Sequence, residues 1–214
     1  MNRNTVFGST TGMNEGYTFA RTLGLQSAQF FKAVSEFVAN NVIDHYNGRF
    51  LGLKERDHWE YAFRTNASGV VVLVPVTDAG EMVLVEQYRV PVNARVMELP
   101  AGLVGDNGDA EEAFETAAHR ELLEETGYTA KTMEKLLTSP STPGMSDEII
   151  NIFFAGGLQR VGPGGGDHNE DITVHHLPLE HAVDWLEAKQ AEGIMLDPKI
   201  YAGLFWAGMR TQTL

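Results

Sequence analysis

The chain has 214 residues, 43% of them hydrophobic and 21% charged, with a formal net charge of −13 and no cysteine. That describes a globular domain with a sizeable core and excludes disulfides, a thiolate metal site and a thiol nucleophile. The acidic balance argues against a nucleic-acid backbone or an anionic membrane as partner; an anionic substrate would have to be held by bound cations or a local arginine cluster.

Residues 1–26 are polar and glycine-containing, with no apolar stretch of the kind a secretory signal carries. Over 27–46 the residues Phe30, Phe31, Val34, Phe37, Val38 and Val42 recur at helical spacing. An amphipathic helix is expected there, its aromatic face covered by its own domain or by a second subunit. From Phe50 the pattern turns to β. Residues 59–64 alternate, 70–76 form an apolar run too short to span a bilayer, Asp78-Ala79-Gly80 is a turn, and 82–89 is a further strand. Residues 70–89 therefore read as a hairpin. A glycine-rich loop follows Met97-Glu98-Leu99-Pro100-Ala101-Gly102. Asp109, with Glu112 three residues on, predicts a capping box and a helix over 110–126. Strands are expected near 133–137 and 149–154, then a loose loop over 156–171, a strand at 172–177 and a helix over 179–190. Asp197-Pro198 marks the start of a last helix ending near Met209. No repeat and no inter-domain linker is visible. The order predicts a mixed-sheet α/β (α+β) sandwich, with residues 1–49 as an N-terminal extension and 50–214 as the main domain.

The predicted helix ends in HRELLEETGY, residues 119–128. Glu121 faces both Glu124 and Glu125 one turn on. Like charges at that spacing cost about 0.2–0.5 kcal/mol per pair, and carboxylates near a helix C-terminus also oppose its dipole. Arg120 offsets part of this. Two readings are open. The three form a solvated acidic face, or they hold a hard divalent cation through oxygen ligands.

Glu112, Arg120-Glu121-Leu122-Leu123-Glu124-Glu125 and Gly127-Tyr128 stand at the spacing of the Nudix signature, G-x5-E-x7-R-E-U-x-E-E-x-G-U, where U is apolar. The chain is identified by this resemblance as a Nudix hydrolase. Its segments WEYAFR, VEQYR and ELPAGL, with Pro143 sixteen residues after Gly127, are similar to the ADP-ribose pyrophosphatase branch. The likeness runs from about Phe50 to the C-terminus. One departure stands out: Gly102 precedes Glu112 by nine intervening residues rather than five, close to one extra helical turn.

The resemblance implies a Nudix-type α/β/α sandwich. It implies magnesium, or manganese, held by Glu121, Glu125, Glu124 and the Ala101 backbone carbonyl, with Arg120 holding the glutamates in place. Arg64 and Arg89 would grip substrate phosphate or ribose, the alternative being charges that blunt an edge strand. Trp59 and Glu60 would sandwich an adenine, often across a dimer interface; the alternative is a core tryptophan. A catalytic carboxylate is expected in the loop at Glu170, with His168 in its place if the register shifts by two. His175, His176 and His181 read as structural. The implied reaction is magnesium-dependent hydrolysis of the pyrophosphate of ADP-ribose or a related nucleoside diphosphate sugar, giving a nucleoside monophosphate and a sugar phosphate. A GDP-mannose or UDP-sugar substrate and a non-catalytic nucleotide sensor are the alternatives. RNA decapping fits poorly with the charge. A cytoplasmic homodimer that binds neither nucleic acid nor membrane is the expected context.

Overall fold

The computed structural model describes residues 42–106, 108, 109, 111–166 and 170–211. It opens with a small antiparallel sheet of β1 (Val42–Asn47), β2 (Leu51–Arg56) and β3 (Trp59–Arg64). Most of the helix expected over 27–46 lies outside the described residues, but its end is corrected. Residues 42–47 are extended because β2 pairs with them, from Val42 opposite Arg56 to Asn47 opposite Gly52. Tertiary pairing outweighs the helical spacing there, as it often does for β-branched and aromatic residues.

Next come β4 (Gly69–Pro75), β5 (Glu81–Arg89), β6 (Ala94–Glu98) and β7 (Ala101–Val104). The first long helix is α1 (Phe114–Thr126). It is followed by β8 (Tyr128–Thr129), β9 (Thr132–Pro140), β10 (Ile149–Gly156), β11 (Gln159–Arg160) and β12 (Thr173–Pro178). Then follow α2 (Ala182–Ala191), β13 (Met195–Leu196) and α3 (Lys199–Thr211). Two four-stranded mixed sheets result, ordered β7-β4-β10-β9 and β12-β5-β6-β13. Within them β10 runs parallel to β4, and β13 runs parallel to β6.

The hairpin expected over 70–89 is not formed. β4 and β5 belong to different sheets, and the turn between them is closed by an isolated bridge, Val76 with Met82, and by the Thr77 N–H donating to the Glu81 carbonyl at 2.9 Å. Both strands are apolar on both sides because both sides are covered. Val70, Val72, Val74, Met82 and Leu84 pack with Leu186, Ile200 and Ala207, on the side of α2 and α3. Val71, Leu73 and Val83 pack with Ala117, Ala118 and Leu122 of α1. Helices therefore cover opposite faces of the β layer, the α/β/α arrangement. Leu122 is fully buried; burying a leucine side chain contributes about 2 kcal/mol, and with Ala117 and Ala118 it packs α1 against the sheet.

α1 starts later than its sequence suggests. Its N-cap is Ala113, with no side-chain cap. Asp109 instead closes a turn, its carboxylate accepting from the Glu111 N–H at 3.2 Å and its carbonyl from the Glu112 N–H at 3.0 Å. The Glu112 side chain is drawn away to Arg120, so the capping box does not form. The helix ends as expected, with Gly127 left-handed at φ 75° and its N–H bonded to the Leu123 carbonyl. Among the described residues no helix is long and apolar enough to cross a membrane.

Candidate active site

The first two residues of β7, Ala101 and Gly102, place the first elements of the site. The Ala101 N–H donates to Oε2 of Glu125 at 3.0 Å. Gly102 lies directly beneath Glu121: a Cβ there would stand 1.9 Å from the carboxyl carbon and about as close to both oxygens. Only a residue without a side chain lets the carboxylate lie on the strand. Glu121 and Glu125 are both buried, the latter 2% exposed, whereas the Glu124 side chain is 46% exposed.

Burial is the largest influence on both inner carboxylates. It pushes Glu121 up to about 7 against the opposing pull of Arg120, and raises Glu125 well above the usual carboxylate value despite the bond from Ala101. Two buried carboxylates that resist ionisation are groups a divalent cation would stabilise as anions. The donor set is all oxygen, the kind that hard cations take, so the residues fit such an ion.

Arg120 is the hub. Its Nε donates to Glu112 Oε1 at 3.0 Å. One terminal nitrogen serves Glu121 Oε1 at 2.7 Å and Glu124 Oε2 at 3.1 Å. The other serves the Leu103 carbonyl at 2.9 Å and Glu112 Oε2 at 3.2 Å. Five contacts engage a group that has five N–H donors. Glu112 also accepts from the Gly105 N–H at 3.0 Å. The Arg120 bond, ahead of the Gly105 one, outweighs burial and holds its carboxyl below the ordinary range. The longer loop after Gly102 thus leaves Glu112 in place as an anchor for Arg120. Among the described residues no three acidic or histidine side chains already converge on one point as metal ligands would; Arg120 spans Glu121 and Glu124.

Arg120, Glu121 and Glu124 border a cavity of about 330 Å³, while Glu112 and Glu125 are not in its wall. Arg64, Arg89, Ala101, Gly102, Asp106, Arg120, Glu121, Glu124 and Glu170 all line it. Residues separated by more than a hundred positions meet there, and Glu170 lies near enough to influence the charges of both Arg89 and Glu125. Arg64 and Arg89 are each aimed by a carboxylate the sequence did not single out. Glu98 holds Arg89 through two parallel bonds at 2.6 and 2.7 Å, and Glu148 pairs with Arg64. An acid between the apolar Met97 and Leu99, at the end of β6, was a signal for Glu98. Glu148, 84 residues from its partner, offered none. Asp106 also enters the cavity wall from the longer loop, 3.7 Å from Arg120.

Trp59 and Glu60 are not brought to this cavity. They border a separate open cleft with Glu55, His58 and Gly144. Trp59 is not a core tryptophan either: it is 64% exposed, with its indole N–H 3.4 Å from the Gly144 carbonyl. Asp167 and His168 lie outside the described residues. His175 contacts Glu86 at 2.9 Å and stands edge-on to Trp185, while His176 contacts the Tyr128 hydroxyl at 2.8 Å. A larger groove, about 470 Å³, lies between the start of α2 and α3, but it gathers no comparable set of arginines and carboxylates.

The family model of the NUDIX domain matches residues 66–199, and the chain belongs to that family. It is 35% identical over 123 residues to the methanol dehydrogenase activator of Bacillus methanolicus, covering 57% of this chain and 64% of the relative. It is 36% identical over 123 residues to the ADP-ribose pyrophosphatase of Bacillus subtilis, with the same two coverages. The matches thus span less than two thirds of those relatives. A solved structure titled ADP compounds hydrolase shares the fold, with a TM-score of 0.61 at 23% identity over 82% of this chain and 95% of that one.

Proposed function

We propose that this chain hydrolyses the pyrophosphate bond of ADP-ribose or a related nucleoside diphosphate sugar, with magnesium or manganese as cofactor. The products are a nucleoside monophosphate and a sugar phosphate. The observation that carries this reading is that Glu121, seated against Gly102, shares one cavity with two carboxylate-aimed arginines, while Glu125, one turn on, is buried and held at the Ala101 N–H. The similarity to an ADP-ribose pyrophosphatase supports the substrate class.

A bound divalent cation neutralises charge on the diphosphate and lowers the pKa of water. Glu121 and Glu125, with Glu124 at the rim and the Ala101 carbonyl, would hold it. Arg120 keeps Glu121 and Glu124 apart and oriented. Arg64 and Arg89 grip the diphosphate oxygens, where a guanidinium fork gives directional bonds. Glu170 takes the proton of the attacking water. The water oxygen bonds to one phosphorus, the P–O bond to the bridging oxygen breaks, and that oxygen leaves on the second phosphate. Together with a bound cation, the arginines would form a positive spot within an acidic protein, which meets the charge difficulty posed by an anionic substrate.

The base is left to a surface outside the cavity. Trp59 and Glu60 lie elsewhere in the chain, on a small sheet that also exposes Ile43, Tyr46, Phe50 and Leu51. We read that sheet, with the extension before it, as a homodimer surface of a cytoplasmic enzyme whose hydrolase unit is residues 50–214. The sensor alternative is disfavoured because all three glutamates are retained.

The experiment is chromatographic detection of the nucleoside monophosphate formed from ADP-ribose, GDP-mannose, UDP-glucose and diadenosine polyphosphates, each with magnesium, with chelator and with Glu125→Gln. Magnesium-dependent cleavage of ADP-ribose, lost in the variant, is expected. Cleavage of GDP-mannose or UDP-glucose alone would move the substrate; tight nucleotide binding without turnover would return the sensor reading.

A further inference from the structure

The segment before Glu170 is glycine-rich, and its main chain is bonded to the end of α1. The N–H groups of Val161 and Gly162 both donate to the Gly127 carbonyl, at 2.9 and 3.1 Å. Three residues after Gly162, the Gly165 N–H donates to the Glu125 carbonyl at 2.8 Å, and next the Gly166 N–H donates to the Glu124 carbonyl at 3.0 Å. A helix leaves its last carbonyls without intrahelical partners. Here the acceptors belong to residues whose side chains form the site.

The contact depends on missing side chains. Gly164 has φ +70°, and a Cβ on it would stand 2.4 Å from the Thr126 carbonyl carbon and 2.6 Å from the Glu125 carbonyl oxygen. Those are main-chain atoms of α1 and cannot swing aside. Gly166 has φ +80°, and a Cβ there would stand 2.7 Å from the Cβ of Glu170. L-residues with side chains rarely adopt such φ values. A linker chosen only for looseness would not need its glycines pressed against a helix terminus.

We propose that Gly164 and Gly166 are positioning residues, which let the 162–166 segment cap α1 and so fix Glu170 in register with Glu121 and Glu125. This rests on Glu170 being the base. Helix and loop then behave as one unit: the main chain that ends the glutamate stripe also sets where the base begins. A misplacement of a catalytic group by about 1 Å can cost about a hundredfold in rate, so a cap that fixes the register of this segment bears directly on turnover.

The test compares Gly164→Ala with Gly193→Ala, whose glycine also has positive φ (+90°) but has no atom within 4 Å of a built Cβ. Both are assayed with ADP-ribose and magnesium for kcat, KM and the pH–rate profile. Amide exchange at Gly165 and Gly166 is measured in the unaltered protein. The expected result is a kcat loss of about tenfold to a hundredfold in Gly164→Ala, with KM within about twofold and a shifted acidic limb of the profile, a limb that reports an essential base. Gly193→Ala should lose melting temperature but not kcat. The Gly165 and Gly166 amides should exchange slowly despite lying in a loop. Equal kcat in the two variants, or unprotected amides, would overturn the proposal. If Gly164→Ala does not fold, Gly166→Ala replaces it, since that Cβ meets Glu170 rather than α1, and unchanged kcat there is equally fatal. Wild-type turnover by Glu170→Gln would instead remove the base assignment, while the amide exchange would still report the cap by itself.

Discussion

The carboxylate of Glu121 lies flat against Gly102, at a separation that leaves no room for a methyl group. A strand residue and a helix residue nineteen positions apart are thereby fitted to one another at the centre of the site. Gly102→Ala must move Glu121 or the strand. Overpacking of this kind costs about 1–3 kcal/mol, and displacement of a ligand by an ångström costs about a hundredfold in rate. The expected outcome is a modest fall in melting temperature with a hundredfold fall in kcat/KM and weaker manganese binding. Wild-type manganese affinity in a folded Gly102→Ala protein would show that Glu121 need not sit where it does.

Arg120 engages all five donors, which lysine cannot reproduce with three. Its partner Glu112 has a side chain only 3% exposed. Arg120→Lys or Arg120→Gln therefore strands a buried carboxylate, at a cost of about 3 kcal/mol. Glu112→Gln in the same background should recover part of the loss. Denaturant titration of the two single variants and the double variant measures the coupling; additive effects would mean that the two residues act independently.

The two buried glutamates make the cation-free protein sensitive to pH. Both have folded-state values raised by burial, Glu121 to about 7. A carboxyl whose folded value is raised contributes stability that is fully present below its unfolded value near 4.3 and is lost as pH rises through the folded value. Thus with chelator the melting temperature should fall from about pH 5 to above pH 7, and Glu121→Gln should flatten that fall. Glu112 has the opposite sign, with its folded value lowered. Its stabilisation is lost only as pH drops below the ordinary carboxylate range, so the two windows separate. Magnesium or manganese should raise the melting temperature most at the alkaline end, where protons compete least for the carboxylates. A chelator-treated protein with a flat profile between pH 5 and 8 would contradict the assignment.

Glu98 grips Arg89 along one edge of its guanidinium fork. Arg89→Lys keeps the charge but loses the fork, so KM for the diphosphate substrate should rise about tenfold with a smaller change in kcat. Glu98→Gln should act in the same direction, more weakly, by loosening Arg89. Michaelis kinetics decide this, and an unchanged KM in Arg89→Lys would take Arg89 out of substrate binding.

Much of this was legible in the chain because it is local. Arg120, Glu121, Glu124 and Glu125 share one stretch of helix, where spacing alone fixes which side chains are neighbours. The left-handed end at Gly127 and the apolar run of β4 are local in the same way. The resemblance then brought in Arg64, Arg89, Ala101 and Glu170, and the structure gathers all four around the same cavity.

Other features required the folded chain. β4 and β5 are close in sequence, with a turn between them, yet they are in different sheets, because each finds its partners among strands that come later. Nothing local tells a strand buried on both faces which neighbour it will pair with. The start of α1 was decided by Arg120, which recruited Glu112 and left the capping box unmade. Trp59 was placed by the docking of β3 on the loop around Met145, where Ala62 pairs with Ser146 and donates to the Met145 carbonyl at 2.8 Å. The sequence alone determined the helix chemistry, since α-helical periodicity is set by neighbouring residues. Which distant carboxylates aim Arg64 and Arg89, and which glycines admit Glu121 and the loop to Glu170, only the tertiary structure decided, because those contacts depend on how separate strands and loops converge in space.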